Sequence, residues 1–353
     1  MRPMKNLCEL LQTELPLIQA PMAGVQGSAL AIAVSNAGAL GSLPCAMLAP
    51  DALTRELQAL QAGIERPMNL NFFCHTPPEP DAAREAAWRR LLAPFYAEAG
   101  LDIESVPAGA GRVPFSHAIA DLIEPFRPLV LSFHFGLPAP DLLARVKAWG
   151  AVVLASATTV AEARWLEAHG ADAIIAQGLE AGGHRGMFLT DDISTQVGTL
   201  ALLPQVAAAV DVPVIAAGGI ADAAGVAAAT ALGAAGVQVG TAYLCSDEAT
   251  TSALHRAALQ SEAAQHTALT TLFSGRPARG IVNRVMRELG ALNTATPAFP
   301  LATAAIAPLR AHWESRGSGD FSPLWAGQNA SACQTLPAAE ITRQLALGFA
   351  PGG

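Results

Sequence analysis

The sequence predicts a (β/α)8 TIM barrel with an additional, mostly helical C-terminal cap. The first observation is a repeated order of short apolar run, Gly- or Pro-marked turn and Ala-rich helical stretch, which is typical of parallel βαβ units. The second is size, because about eight such units over about 260 residues match a closed barrel of roughly 250 residues. The third is composition, since 52% apolar and 14% charged residues provide a large core.

Each element follows from a local pattern. The predicted strands are residues 17–20, 39–42, 68–72, 129–133, 152–155, 173–176, 214–217 and 236–239. The predicted helices are residues 28–35, 50–61, 81–97, 139–149, 160–169, 197–209, 221–232 and 246–260. Several helices begin with an aspartate that can accept free amide hydrogens, for example Asp81. Others end at a glycine that leads directly into a strand, for example Gly170.

A doubly wound open sheet is the alternative fold. It would need a G-x-G-x-x-G fingerprint after the first strand, where the nearest glycine cluster is only Gly24 and Gly27. Two regions depart from the βα order, an insertion at about 100–127 and a tail with scattered proline and helix signals. We therefore assign residues 1–262 to the barrel and residues 263–353 to a helical cap over the catalytic mouth.

Charge and cysteine usage exclude several classes of protein. A net charge of −8 argues against nucleic acid as a partner, because phosphate neutralisation needs clustered lysine and arginine. Five cysteines without C-x-x-C spacing argue against disulfide scaffolds and favour a reducing, cytoplasmic setting. The N-terminus lacks the pattern of a signal peptide, and the uncharged stretch 224–244 divides at glycines into helix and strand rather than spanning a membrane. No motif predicts a metal site.

Glycines follow the last two predicted strands and indicate a phosphate site. Gly218 and Gly219 follow the seventh strand, and Gly240 and Thr241 follow the eighth. Barrels often bind phosphate at these two loops, because glycines let the backbone approach and free amides donate to the anion. The alternative is that these are only tight turns. Asp222 is expected to cap the next helix.

The loop after the sixth strand combines glycines with polar residues. Gln177, Gly182, Gly183, His184 and Arg185 fall within eleven residues, a composition suited to close contact with a ligand edge. For Arg185 two roles stay open, holding negative charge in the site or forming an external ion pair.

His134 lies at the predicted end of the fourth strand between two phenylalanines. Burial there would keep the imidazole neutral, which suits a general base, although a lone histidine in an apolar segment is usually structural. Pro21 ends the first strand and Met22 follows it, where core packing is the ordinary explanation for a methionine. Asn69 and Asn71 could hydrogen-bond a heterocycle or serve as structural amides.

Together these segments resemble the nitronate monooxygenase family, once called 2-nitropropane dioxygenases. The matching stretches are PLIQAPMAGV (16–25), MNLNFF (68–73), SFHFG (132–136), AQGLEAGGHRG (176–186), VPVIAAGGIAD (212–222), GVQVGTAYL (236–244), SGRPARGIVN (274–283) and LWAGQ (324–328). The match covers nearly the whole chain. The glycine-loop motif is specific to this family and its nearest relatives, whereas AAGGIAD is shared by many phosphate-binding barrels.

The resemblance implies a barrel that holds FMN non-covalently. The cofactor positions it implies are Pro21, Met22, Ala23, Asn69, Gln177, Gly182, Gly183, Ala217, Gly218, Gly219, Gln238, Gly240 and Thr241. His134 matches the family's active-site histidine, His184 is the second predicted catalytic residue, and Gln328 helps to close the site. The implied reaction is oxidation of an alkyl nitronate by O2, through a flavin semiquinone, to a carbonyl compound with nitrite or nitrate.

Two other functions stay open. One is a flavin-dependent enoyl-ACP reductase that uses NAD(P)H, a relative with a similar glycine loop. The other is a non-catalytic flavin-binding protein on the same scaffold, since fold alone does not determine function. The sequence leaves the oligomeric state and the physiological nitronate open.

Overall fold

The computed structural model describes residues 6–106 and 112–349, and it shows a (β/α)8 barrel. The eight barrel strands are β1 (Leu17–Gln19), β2 (Gly41–Pro44), β3 (Met68–Phe73), β4 (Val130–His134), β5 (Val152–Ala157), β6 (Ala173–Gln177), β8 (Val214–Ala217) and β9 (Gly236–Val239). All are parallel, and a bridge between Ile18 and Leu40 joins β1 to the start of β2. The predicted barrel is confirmed, and each predicted strand overlaps an observed one.

Helices surround the barrel and continue into the tail. They are α1 (Leu7–Leu11), α2 (Ser28–Asn36), α3 (Pro50–Gly63), α4 (Ala82–Ala99), α5 (His117–Ile123), α6 (Pro140–Ala148), α7 (Val160–Ala168), α8 (Thr199–Ala207), α9 (Ala223–Ala231), α10 (Ala253–Leu259), α11 (Arg284–Leu289), α12 (Thr303–Glu314) and α13 (Ala338–Ala346). The Asp81 and Asp222 side chains cap α4 and α9, as expected. The insertion after α4 includes α5, and residues 107–111 of it lie outside the described residues.

The regular elements of the tail are mostly helices, as predicted, but they also include two strands that the sequence did not indicate. The tail contains a hairpin of β10 (Thr267–Thr270) and β11 (Ala278–Ile281), which extends the short strand β7 (Gly183–His184) of the glycine loop. The last helix, α13, packs instead between α2 and α9 on the outside of the barrel. It fills the eighth position of the helical ring, because the predicted helix 246–260 shortens to α10 and lies elsewhere. The sequence could not show this, since α13 is about 100 residues from the last barrel strand.

Replacing Leu345 by alanine is expected to destabilise the fold by about 2–5 kcal/mol, because it opens a cavity under α13. Leu345 is 1% exposed and packs in the main barrel cluster. Leu347, two residues on and 70% exposed, provides the matched control, and its alanine variant should unfold within about 0.5 kcal/mol of the parent. Urea unfolding of both variants measures the difference. Equal effects would show that α13 does not support the barrel.

No helix within the described ranges is long and apolar enough to cross a membrane. The uncharged stretch 224–244 contains all but the first residue of α9, then a glycine-ended turn and β9, which is the division predicted from its glycines. All five cysteines are free thiols.

Candidate active site

A cavity opens at the carboxyl ends of the barrel strands, where barrel enzymes bind their ligands. It encloses about 1410 Å³ of space, including open solvent at its mouth. The predicted residues on its wall are Pro21, Met22, Ala23, His134, Gln177, Gly182, Gly183, His184, Ala217, Gly218, Gly219, Gln238, Gly240 and Thr241. Segments that are far apart in the chain therefore meet at one site.

Asn69 is the one predicted cofactor residue that lies off the cavity wall. Its side chain is fully buried inside the barrel and donates to Ser42 Oγ at 2.9 Å, while its Oδ1 has no partner among the described residues. Asn71 lines the cavity instead and donates to Ser132 Oγ at 2.9 Å. Side chains two residues apart on a strand share a face, so Asn71 occupies the next layer, about 7 Å nearer the mouth.

The loops after β8 and β9 form a cradle of free backbone donors. The amides of Gly218, Gly219, Gly240 and Thr241 donate to no acceptor among the described residues. Gly218 and Gly219 have positive φ angles of 115° and 75°, a backbone conformation that favours glycine. Successive free amides in such turns bind anions, and a phosphate group fits the donor set.

A segment of the tail, residues 325–329, covers this cradle. The amide of Gly327 donates to Thr241 Oγ1 at 3.0 Å, and Asn329 Nδ2 donates to the carbonyl of Gly219 at 3.2 Å. Gln328, predicted to help close the site, acts through its amide, which donates to the carbonyl of Glu180 at 2.9 Å. Gly182 allows the covering segment to approach, because a Cβ there would lie 2.6 Å from Gly327 N.

Arg185 supports the glycine loop from within the protein. Its side chain is fully buried and donates to the carbonyls of Gln177 at 2.7 Å and Gly178 at 2.6 Å, and to Gln196 Oε1 at 2.9 Å. Burial lowers the pKa of its guanidinium to about 10. The structure therefore supports neither role left open for Arg185, since the side chain does not line the cavity and forms no ion pair with any of the residues that the structure describes.

Both ring nitrogens of His134 are hydrogen-bonded. Nε2 lies 3.2 Å from the carbonyl oxygen of His184, which can only accept, so Nε2 carries the hydrogen. Nδ1 lies 3.1 Å from Ser156 Oγ and accepts from it. Burial is the main cause that lowers the pKa of His134 to about 4. The imidazole is therefore neutral near pH 7 and is a weak base.

The stability of the protein is expected to fall between about pH 7 and pH 5. Burial lowers the pKa values of His134 and His255 from 6.5 to about 4. Between pH 6.5 and about pH 4 the unfolded chain binds protons that the folded chain does not, so acid favours unfolding. Each histidine lowers the free energy of unfolding by at most about 1.4 kcal/mol per pH unit. Urea unfolding across this range measures the slope.

His255→Gln provides the matched comparison for this slope. Because glutamine does not titrate, the variant should lose less stability on acidification than the parent. An identical pH dependence of the two proteins would contradict the assignment to buried neutral histidines.

Several wall residues were missed by reasoning from the sequence. They are Phe73, Arg112, Ser132, Ser156, His255 and Trp325. Alternation along β3, β4 and β5 could have identified Phe73, Ser132 and Ser156, since they face the barrel interior near strand ends. No local signal marks Arg112, His255 or Trp325, which the insertion, α10 and the tail respectively bring to the cavity.

Fold and site together define a (β/α)8-barrel enzyme whose cavity combines a cradle of free amides with two half-buried, neutral histidines. A family model for nitronate monooxygenase matches residues 4–348. The chain belongs to the nitronate monooxygenase family, whose members are flavin-dependent oxidoreductases.

Relatives and solved structures agree with this membership. The chain is 43% identical to a nitronate monooxygenase from Pseudomonas aeruginosa over 95% of this chain and 96% of the relative. It is also 43% identical to one from Paraburkholderia phytofirmans, over 97% of this chain and 94% of the relative. The structure of nitroalkane oxidase from Streptomyces ansochromogenes superposes with a TM-score of 0.89 at 38% identity, covering 98% of each chain. A FabK variant from Thermotoga maritima has a TM-score of 0.70 at 27% identity, over 96% and 93% of the two chains.

Proposed function

We propose that this protein binds FMN non-covalently and oxidises alkyl nitronates with O2 to carbonyl compounds and nitrite or nitrate. The observation that carries the proposal is the continuity of one cavity, which joins the anion cradle to the two histidines. Membership of the nitronate monooxygenase family supports this choice of reaction. The free thiols support a reducing compartment, and we place the enzyme in the cytoplasm.

The residues present fit a flavin. The free amides of Gly218, Gly219, Gly240 and Thr241 would hold its phosphate, and the covering segment would close over it. Gln238 lines the cavity and has a buried Oε1 without a partner among the described residues, which suits a ring N–H donor. Met22 would contact the ring with a polarizable side chain. When bound, the flavin supplies the electron transfer between nitronate and O2.

The protein groups around the substrate favour an anion that is already ionised. His134 has a pKa of about 4 and its only proton-accepting nitrogen faces Ser156, so it is poorly suited to deprotonate a neutral nitroalkane. Arg112 lies on the cavity wall, and Arg276 stacks on Phe135 beside His134. These two cations favour a negative substrate. We therefore expect preformed nitronates to be oxidised faster than the parent nitroalkanes.

The test is oxygen uptake by the purified yellow protein with ethylnitronate or propionate 3-nitronate, without added NADH. Uptake that depends on the nitronate, together with nitrite formation, supports the proposal. Flavin bleaching by NAD(P)H with no nitronate-dependent uptake would instead favour the enoyl-ACP reductase. Flavin absorbance without either reaction would favour a non-catalytic flavin-binding protein, and a colourless protein that does not take up FMN would contradict the cofactor assignment.

A further inference from the structure

The two cavity histidines differ in which ring nitrogens are available. Both nitrogens of His134 are hydrogen-bonded within the protein. In His184, Nε2 lies 2.8 Å from Ser274 Oγ, whereas Nδ1 has no hydrogen-bond partner among the described residues. This Nδ1 atom is not buried, and His184 lines the cavity. Nδ1 is therefore accessible from the cavity. His184 is thus the histidine that can address a substrate directly.

The hydrogen bonds of Ser274 indicate which nitrogen of His184 carries the proton. The backbone amide of Arg276 lies 3.4 Å from Ser274 Oγ, and an amide can only donate. The single hydroxyl hydrogen can then be donated either to the carbonyl of Arg276 at 3.4 Å or to His184 Nε2 at 2.8 Å. The shorter contact favours donation to Nε2. An imidazole that accepts at Nε2 and is neutral carries its hydrogen on Nδ1.

The electrostatic surroundings keep His184 neutral. Its ring packs 5.4 Å from Phe299 and 6.1 Å from Phe135, centroid to centroid. Arg112 and Arg276 lie over these two rings, with Cζ 5.3 Å and 4.2 Å from the respective centroids. Burial, followed by the charge of Arg112, lowers the pKa of His184 well below its ordinary value. A neutral N–H group directed into the cavity can donate to an anion without any proton transfer.

We propose that Ser274 is a positioning residue that fixes His184 as the Nδ1–H tautomer, and that His184 donates this hydrogen to a nitro oxygen of the bound nitronate. The inference rests on the proposed function and deepens it. A nitronate carries its negative charge mainly on the two oxygens, and a hydrogen bond to an ionised acceptor is roughly twice as strong as a neutral one. Ser274 is 1% exposed and does not line the cavity, so it acts only through His184.

The tautomer is tested directly by 15N NMR of histidine-labelled protein as purified, with the His184 signals assigned by their loss in His184→Gln. In the parent, Nδ1 of His184 should show the shift of a protonated nitrogen and Nε2 that of an acceptor. Ser274→Ala should move both signals toward the mixed values of exchanging tautomers, and Ser274→Thr should restore the parent pattern. A parent spectrum with the hydrogen on Nε2 would overturn the proposal.

The kinetic test uses preformed ethylnitronate and oxygen uptake. Ser274→Ala should raise KM about tenfold with a smaller change in kcat, because the bond to the nitronate already forms in the bound ground state. Ser274→Thr should recover most of the loss, and Ser315→Ala, at an exposed serine beyond α12, should match the parent. An unchanged KM in Ser274→Ala at equal flavin content would overturn the role of the Ser274–His184 hydrogen bond.

The two tests separate the two proposals. A parent protein that oxidises no nitronate contradicts the proposed function, while the NMR spectra still decide the tautomer of His184. Oxidation of nitronates by a parent protein whose His184 carries its hydrogen on Nε2 contradicts this inference alone.

Discussion

Replacing Thr241 by arginine is expected to yield a protein that retains almost no flavin. The Thr241 amide belongs to the cradle, and its Oγ1 accepts from the amide of Gly327 in the covering segment. An arginine side chain at this turn would displace both the covering segment and the phosphate. Loss of two charge-assisted hydrogen bonds, at about 1.5–3 kcal/mol each, weakens binding by more than about 100-fold. The ratio of flavin absorbance to protein absorbance after gel filtration measures the result.

Thr241→Ser is the matched control, because it keeps the hydroxyl that accepts from Gly327 and removes only a methyl group. It should retain flavin at the parent level. Thr241→Val keeps the shape but removes the acceptor, so it should lie between the two, with faster flavin loss on dilution. A Thr241→Arg protein with parental flavin content and a parental melting curve would show that the phosphate is bound elsewhere.

Much of this site could be predicted from the sequence because its residues follow strand ends. In a parallel barrel all carboxyl ends lie on one face, so any residue just after a predicted strand is placed at the mouth. His134, Gly218 and Gly240 were located in this way, and each lies on the cavity wall. Asn69 shows the limit of the method. The position of a residue in a strand predicts which face of the sheet its side chain is on. Whether Asn69 or Asn71 reaches the cavity depends on how far the cavity extends into the barrel, which the sequence does not give.

The rest of the site depends on contacts between segments far apart in the chain. Trp325 reaches the cavity because the covering segment crosses the glycine loop, and Arg112 because the insertion folds back over the mouth. The position of α13 on the barrel likewise requires the chain to return after the hairpin of the tail. None of these long-range contacts leaves a periodic pattern in the local sequence, so they could not be predicted from it. The tautomer of His184 is inferred from interatomic distances, which the sequence does not give.

Replacing Arg185 by methionine is expected to produce the largest loss of stability among single changes near the site. The methionine fills most of the volume but removes donors to Gln177, Gly178 and Gln196, all of which lie away from solvent. Unsatisfied buried acceptors cost about 1–3 kcal/mol each, so the loss of donors to three of them should lower the free energy of unfolding by at least about 3 kcal/mol. The glycine loop would then lose its support, and flavin affinity should fall with it. Urea unfolding and flavin content measure the two effects.

Arg164→Met controls for the loss of one positive charge and for the change of side-chain type. Arg164 is exposed on α7, so this variant should stay within about 0.5 kcal/mol of the parent. Arg185→Lys keeps the charge but not the planar fork, and one ammonium cannot reach three acceptors with the same geometry. It should therefore recover only part of the stability. If Arg185→Met unfolded at the same urea concentration as Arg164→Met, the buried guanidinium would not be what holds the glycine loop in place.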